Sequence, residues 1–528
     1  MWGHETYLIN STGIVNHEWT SDYLPGVAVC WLGGGEIARA IKVGPGPYVG
    51  GLGGGVQIQQ ADGTIVWDYR YNTNGHFSHH DLNVLPNGNI LLIAWETKSQ
   101  AEAIAAGRNP ECVSVFGMMP DHLIEVKPNG PTSGEIVWEW HVWDHLIQDY
   151  DASKQNYGAV GDHPELVDVN YVPSLWQGDW MHTNSVDYDQ VLDQILLSVP
   201  NFNEIWIIDH GTTTEEAASH TGGRYGRGGD LLYRWGNPAA YRTGTSDNQK
   251  LFYQHDVSWI KAGFPGAGDI LIFNNGDDRP GGEYSSVDEI TPPLNENGTY
   301  DFEPGTGYGP STLTWAYTAT PPMSFYAGHL CGAQRLANGD TLICNGETGE
   351  FFEVTVSGVT VWEYTNPFPY PSMNELFDIV YIPNTYEPDE PDLECTGRLT
   401  WTRVKPGETV TGSFTVQNIG HAGSLLNWAV NASSIPWGNW TVTPQAGENL
   451  TPEEGSITVQ VSVEAPEEHR GSFQGYLRVG NLNDASDYDT IPVSLSTSLG
   501  LRQGFFARTP FPVLHWLLAR FFLHQFFS

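Results

Sequence analysis

The sequence predicts an all-β protein: a six-bladed β-propeller, then an immunoglobulin-like β-sandwich and a short apolar C-terminal tail. Three observations carry this. A strand ending in tryptophan recurs six times, at Trp19, Trp67, Trp138, Trp235, Trp315 and Trp362. A second piece, a hairpin of alternating apolar residues, follows several of these strands. The composition joins many aromatics (Trp 20, Tyr 24, Phe 21) to many chain breakers (Gly 60, Pro 34), which favours short strands and tight turns over long helices.

The tryptophan strands read GTIVWDY, GEIVWEW, LLYRWGNP, TLTWAY and GVTVWEY, with IVNHEW first. In the first copy the tryptophan lies two residues later, which keeps it on the same strand face. The hairpins are clearest in HDLNVLPNGNILLIAWE (80–96) and GAQRLANGDTLICNGE (332–347). Residues 182–199 and 255–276 are looser versions, and 30–40 and 374–383 read as degenerate first and last copies. Asn-Gly at 87–88 and 338–339 suits a two-residue turn with both residues at positive φ. Six units in residues 1–386 average about 60 residues each, the size of a large four-stranded blade. Insertions at about 141–178 and 200–230 are expected as loops on one face, where functional loops collect.

Residues 387–394 (EPDEPDLE) read as a linker. Residues 395–498 give short alternating strands, the pattern of an immunoglobulin-like sandwich. Residues 499–528 are strongly apolar and carry only positive charges. They are expected to dock on a neighbouring chain, giving a homo-oligomer, or to lie on a membrane surface. The alternative function is therefore a non-catalytic, self-assembling exterior protein that uses the sandwich and tail for subunit contacts.

A net charge of −39 argues against nucleic acid as a partner, because phosphate binding needs clustered Lys and Arg. The five cysteines form no disulfide framework and show no metal-ligand spacing. Asn10, Asn297, Asn431, Asn439 and Asn449 each open an Asn-x-Ser/Thr triplet, which suits a glycosylated, exported surface. The first residues already read as a strand, so the chain is taken as a mature form whose signal peptide has been removed. The expected location is extracellular, at the cell surface or periplasmic.

The repeat places the histidines. His80, His182 and His255 share one repeat position, the start of the innermost strand, so they are expected to converge on the axis. Asp81 and Asp256 should point the other way. Counted from its turn, His329 lies two residues out of that frame, on the same face and nearer one mouth. Arg279 follows the hairpin of the His255 unit and supplies a fixed positive fork. Asn184 and Asn374 are further candidates, Asn374 as the sixth unit's counterpart of the histidines. Three readings stay open: structural histidines, a metal site, or an oxyanion site with one imidazole as nucleophile or proton carrier.

HDLNVLPNGNIL, DWMHTNSVDYD, HTGGRYGRGGDLLYRWGNPAAYR, QHDVSWI, GDILIFNNGDDRP, YSSVDEITPP, GAQRLANGDTLIC and FFEVTVSGVTVWEYTNP together resemble the arylsulfotransferase (aryl-sulfate sulfotransferase) family over residues 7–385. The resemblance implies an exported six-bladed propeller that moves a sulfuryl group from a phenolic sulfate donor to a phenol acceptor. It implies no cofactor and no nucleotide sulfate donor, and a transiently sulfated histidine. By motif it assigns catalytic roles to His182, His255, His329 and Arg279, with His329 as nucleophile, and substrate contacts to His80, Asn184 and Asn374. No metal is implied.

Overall fold

The computed structural model describes residues 3–498, except 48, 74, 174–176, 371–373, 383–390, 421–423, 434 and 483–486. The apolar tail, with its expected roles in assembly and membrane docking, lies outside the described residues, as does half of the linker. The chain divides into two compact units, Met1–Tyr386 and Glu387–Ser528. The described residues are almost entirely β, with two short helices, Gln100–Ala105 and Thr214–Ala217.

Among its described residues the first unit contains five four-stranded antiparallel sheets, each a simple meander. The first sheet runs Pro25–Gly33, Glu36–Lys42, Gly54–Gln59 and Ile65–Arg70. The second runs His76–Val84, Ile90–Glu96, Asp121–Gly130 and Ser133–His141. The third runs Ser185–Asp189, Gln194–Val199, Glu204–Asp209 and Tyr233–Trp235. The fourth runs His255–Trp259, Ile270–Asn274, Ser286–Ile290 and Trp315–Thr318. The fifth runs Gly332–Arg335, Thr341–Asn345, Glu350–Val354 and Thr360–Thr365. A separate hairpin, Glu5–Ile9 with Val15–Thr20, precedes them.

The middle strands are apolar on both faces. Ile90–Glu96, Gln194–Val199 and Ile270–Asn274 are buried along their whole length, so each sheet is covered on both sides by neighbours. The tryptophans explain part of that covering. The five repeat tryptophans of the four-stranded sheets, Trp67, Trp138, Trp235, Trp315 and Trp362, sit on the fourth, outermost strand, and each indole N–H reaches into the next unit. Trp67 Nε1 donates to Ser133 O (2.9 Å), Trp138 to Thr212 Oγ1 (3.0 Å) and Trp235 to Pro310 O (2.9 Å). Trp315 donates to Val356 O (2.8 Å) and Trp362 to Ser11 O (2.6 Å), in the turn of the N-terminal hairpin. Trp19, on that hairpin, donates to Gly35 O (3.1 Å) of the first sheet. The six bonds thus return to where they began.

The first strands of consecutive sheets also neighbour one another in sequence order. An edge strand leaves unpaired N–H groups, and here side chains of the preceding sheet take them. Asp81 Oδ2 accepts from Val186 N (2.9 Å), Asp187 Oδ2 from Trp259 N (2.9 Å) and Asp256 Oδ2 from Ala333 N (2.8 Å). Ser185 Oγ accepts from Val257 N (2.9 Å). These carboxylates are deeply placed. Burial pushes Asp81 and Asp256 up to about 7, and raises Asp187 and, well above the usual range, Asp378. A Cβ on Gly332 would collide with both the Asp256 and Asp378 carboxylates, so glycine is required there.

Four expectations need correction. Residues 374–382 form no strand among the described residues; Leu376 N bonds Gly346 O and Tyr381 N bonds Gln334 Oε1, so this segment lies along the fifth sheet without a partner strand of its own. The Asn-Gly turns are longer than two residues. Only Gly88 and Gly339 hold positive φ, while Asn87 and Asn338 use their side-chain oxygens to accept from the backbone two residues on. The 200–230 insertion contains a sheet strand, Glu204–Asp209, because IWII is apolar enough to be buried on both faces. In the second unit the first strand, Leu393–Thr396, opens two residues before the expected boundary, with Leu393 in the core.

That second unit has a four-stranded sheet (Leu393–Thr396, Thr409–Asn418, Ile457–Glu464, Asn439–Thr443) and a five-stranded one (Leu399–Val404, Tyr488–Thr497, Ser472–Asn481, Leu426–Asn431, Ala446–Leu450). Phe414, Val459 and Val461 of one pack with Trp428, Leu477 and Val479 of the other in a single apolar core.

Two outcomes are expected. Trp19→Phe removes a buried indole donor and leaves Gly35 O unpaired, which should cost about 1–3 kcal/mol in urea unfolding; an unchanged midpoint would contradict the bracing role. Asp256, with its folded pKa raised, adds stability at low pH that is lost as pH rises from about 4 to about 7. Asp256→Asn should therefore stabilise the protein more at pH 8 than at pH 5, and an equal effect at both would contradict a buried, protonatable carboxyl.

Candidate active site

The inner strands bring three histidines together, by less regular means than a repeat frame implies. His255 opens its strand, His80 lies inside one, and His182 precedes its strand by three residues. The backbone is bent to make this work. The pairing of the second sheet slips between Ser78 and Leu82, and that of the fourth between His255 and Val257. His80 (φ 52°) and His182 (φ 59°) are both left-handed, an uncommon state for a residue with a Cβ. Gly51 makes room, since a Cβ there would meet the His80 ring.

The rings of His80 and His182 lie 4.5 Å apart, edge to face. Tyr253 follows, stacked at 6.4 Å from His182 and edge to face at 5.8 Å from His255. Phe377 closes the group, 6.2 Å from His80 and 6.4 Å from His255. Imidazoles and two aromatic faces thus share one small space.

Each imidazole is held in a different state. For His182, burial disfavours the charged form, but the Asp179 carboxylate, 2.6 Å from Nδ1, overrides it and raises the pKa. For His255, burial pushes the pKa down to about 3, and the nearby His182 adds to this. Its Nδ1 lies 2.9 Å from Asn275 Oδ1, an acceptor, so that nitrogen carries the proton and Nε2 keeps its lone pair. His80 is held well below the ordinary value by burial, then by His182. Its Nδ1 lies 2.7 Å from His79 Nδ1. His79 is itself stacked on Trp95 (3.8 Å), with Nε2 3.3 Å from Asp121. One charged and two neutral imidazoles side by side can hold an anion and exchange a proton.

The remaining candidates are placed differently. His329 was expected on the strand face, one step toward a mouth. It lies instead in a turn before Gly332–Arg335, because Leu330 (φ 60°) and Cys331 (φ 78°) reverse the chain between them. Its side chain is 58% exposed, and Nδ1 sits 2.7 Å from Glu347 Oε1, which also accepts its backbone N–H. It is close enough to His255 to lower that residue's pKa further. Arg279 is held by its own sheet. It donates to Ser286 Oγ (3.0 Å) and lies over the rings of Tyr284 and Phe252. Asn184 donates to Gln254 O while its buried Oδ1 has no hydrogen-bond partner. Asn374 spends both N–H groups on Thr348 O and Asn366 O.

Sequence reasoning missed Asp179, Tyr253, Asn275, Phe377 and Glu347. Asp179 and Asn275 stood inside the motifs DWMHTNS and FNNG. Phe377 is brought in from more than a hundred residues beyond His255 and had no local signal.

The family model described as Arylsulfotransferase (ASST) matches residues 61–375. No curated protein matches the chain. Among solved structures, a protein of unknown function from Bacteroides caccae is 12% identical, covering 71% of this chain and 94% of that one, at a TM-score of 0.39. Virginiamycin B lyase from Staphylococcus aureus is 11% identical, covering 69% and 74%, at 0.31. The PapD-like domain of human CEP192 is 16% identical, covering 24% and 96%, at 0.18. None is close enough in backbone to inform activity.

Asp179→Asn should lower the His182 pKa, since Asp121 would then be left to oppose burial without Asp179; histidine NMR titration reads this, and an unmoved pKa would contradict the pairing.

Proposed function

Because the chain belongs to the arylsulfotransferase family, we propose that it transfers a sulfuryl group from a phenolic sulfate ester to a phenol through a sulfohistidine, at the mouth of a six-bladed propeller. The observation that carries the reading is the cluster of His80, His182 and His255, with one imidazole held charged and two neutral beside two aromatic faces. The sixth blade is the N-terminal hairpin, with residues 374–382 on its inner side. The tryptophan bonds from Trp362 to Ser11 and from Trp19 to Gly35 support that closure.

In the first half-reaction the Nε2 lone pair of His329 attacks sulfur and the sulfur–aryl oxygen bond breaks. Glu347 holds the Nδ1–H of His329, fixes the tautomer and stabilises the positive ring, as an orienting carboxylate does in a nucleophile–base pair. The departing phenolate takes a proton from His182, which Asp179 keeps charged and in place. His80 contacts the sulfuryl oxygens, His255 offers its bare Nε2 as acceptor to the hydroxyl of the incoming phenol, and Tyr253 and Phe377 pack against the phenol ring. In the second half the acceptor phenol gives its proton back to His182, its oxygen attacks sulfur, and the sulfur–nitrogen bond breaks. Arg279 supports the Ser286 edge of this site rather than meeting the sulfate in the resting state. The reaction needs no cofactor.

An extracellular or periplasmic setting fits this chemistry. No helix among the described residues is long and apolar enough to cross a membrane. Of the Asn-x-Ser/Thr positions, Asn297, Asn431, Asn439 and Asn449 are exposed and Asn10 half-buried. The second unit serves as an immunoglobulin-like spacer.

With 4-nitrophenyl sulfate and a phenol, the protein should release nitrophenol and form the new aryl sulfate. His182→Asn and His255→Asn should each lower kcat by about 100-fold or more. As pH rises through the raised His182 pKa, kcat should fall. No turnover by the wild type, or full activity in both variants, would overturn the proposal.

A further inference from the structure

Two histidines and an aspartate outside the active site meet where the two long insertions touch. His145 ends the short turn Val142–His145, directly after the outermost strand of the second sheet. His220 and Asp230 come from the segment after the helix Thr214–Ala217. Asp230 Oδ1 lies 2.7 Å from His145 Nδ1 and 2.7 Å from His220 Nδ1, and the three ligand atoms fall within 4.8 Å of one another. Of the inner histidines, His80 sits on the first strand of that same sheet, so this group occupies the sheet's opposite edge.

The proton positions make the group unusual. His145 is fully buried, and its Nε2 lies 2.8 Å from Ala217 O. A carbonyl only accepts, so Nε2 carries the hydrogen. In a neutral ring Nδ1 then has a bare lone pair, aimed at the Asp230 carboxylate oxygen. Two lone pairs at 2.7 Å repel unless a cation, a proton or a metal ion, lies between them. An imidazole whose far N–H is fixed by a backbone carbonyl, with its near lone pair facing a carboxylate and a second imidazole, is the arrangement of a metal ligand with its supporting shell.

We propose that His145, His220 and Asp230 form a zinc site. Two imidazole nitrogens and one carboxylate oxygen suit Zn²⁺, which takes four ligands at about 2.0–2.2 Å. Tetrahedral ligands at that radius stand about 3.3 Å apart, so each nitrogen-to-carboxylate separation needs to open by about 0.6 Å from its 2.7 Å. His145 cannot provide the movement, being stacked on Trp140 (ring centroids 5.8 Å, planes 7° apart). The Asp230 carboxylate has to turn away from His145, and His220, whose side chain is 57% exposed, can move with it. That exposed side leaves the fourth position to water. The surrounding backbone is already shaped: Trp140 Nε1 donates to Gly229 O (2.7 Å), and Gly229 N bonds Ser219 O. Bound zinc would pin the 141–178 insertion to the 210–230 segment, and so the outer edge of the second sheet to the third.

The test uses the full chain, stripped with chelator and titrated with ZnCl₂ by calorimetry near pH 7.5, with thermal unfolding measured in parallel. Expected are one zinc per chain, a higher Tm with zinc, and, on Co²⁺ substitution, the visible bands of a tetrahedral ion. His220→Ala, at an exposed position the fold does not need, should weaken binding by about 100-fold or more and abolish the Tm shift. Absence of stoichiometric binding would overturn the proposal. So would binding that survives His220→Ala, and binding lost in His255→Asn instead would move the ion to the inner histidines.

Discussion

The first unit depends on how the inner edges of its sheets are fastened. Each inner strand presents backbone N–H groups that no strand pairs, and Asp81, Asp187 and Asp256 of the preceding sheet accept them at 2.8–2.9 Å. A hydrogen bond to a charged acceptor contributes roughly 1.5–3 kcal/mol, but these carboxyls are buried near one another. Burial raises their pKa, so they hold the backbone partly as neutral acids. The fastening is therefore strong in geometry and sensitive in charge. At the outer edges six indole N–H groups do the corresponding work without charge.

The same dipeptide serves both fold and chemistry. In His80–Asp81 and His255–Asp256 the aspartate fastens the next sheet while the histidine turns toward its counterparts. The bulges at these points let adjacent side chains leave in useful directions, at the cost of left-handed backbone at His80 and Asp256. Once crowded together, the imidazoles cannot all be charged. Asp179 decides which one is, by standing at hydrogen-bond distance from His182 alone. A strongly acidic protein thereby holds a local positive group in which an anion can be bound.

Much of this was legible in the sequence. The tryptophan strands reported the outermost position in every sheet, because a large apolar ring with one donor has a fixed use between sheets. The recurrence of His80, His182 and His255 near the inner strands pointed to residues whose rings lie near one another, although each holds a different position relative to its strand. The details that failed are those that depend on backbone irregularity. Asn87 and Asn338 cap their turns with side chains instead of adopting positive φ, and His329 leaves the strand frame because Leu330 and Cys331 turn the chain. Long-range partners had no local sign: Phe377 joins the histidines from the far end of the unit, and His145 meets Asp230 across 85 positions of sequence.

The central claim is that His329, working beside the clustered imidazoles, carries sulfur covalently. It is tested most directly by mixing the protein with a sulfur-labelled aryl sulfate in the absence of any acceptor. The account predicts a burst of one phenol per chain, label retained on His329, and its discharge when a phenol is added. Phenol release without bound label, or label on any residue other than His329, would contradict it.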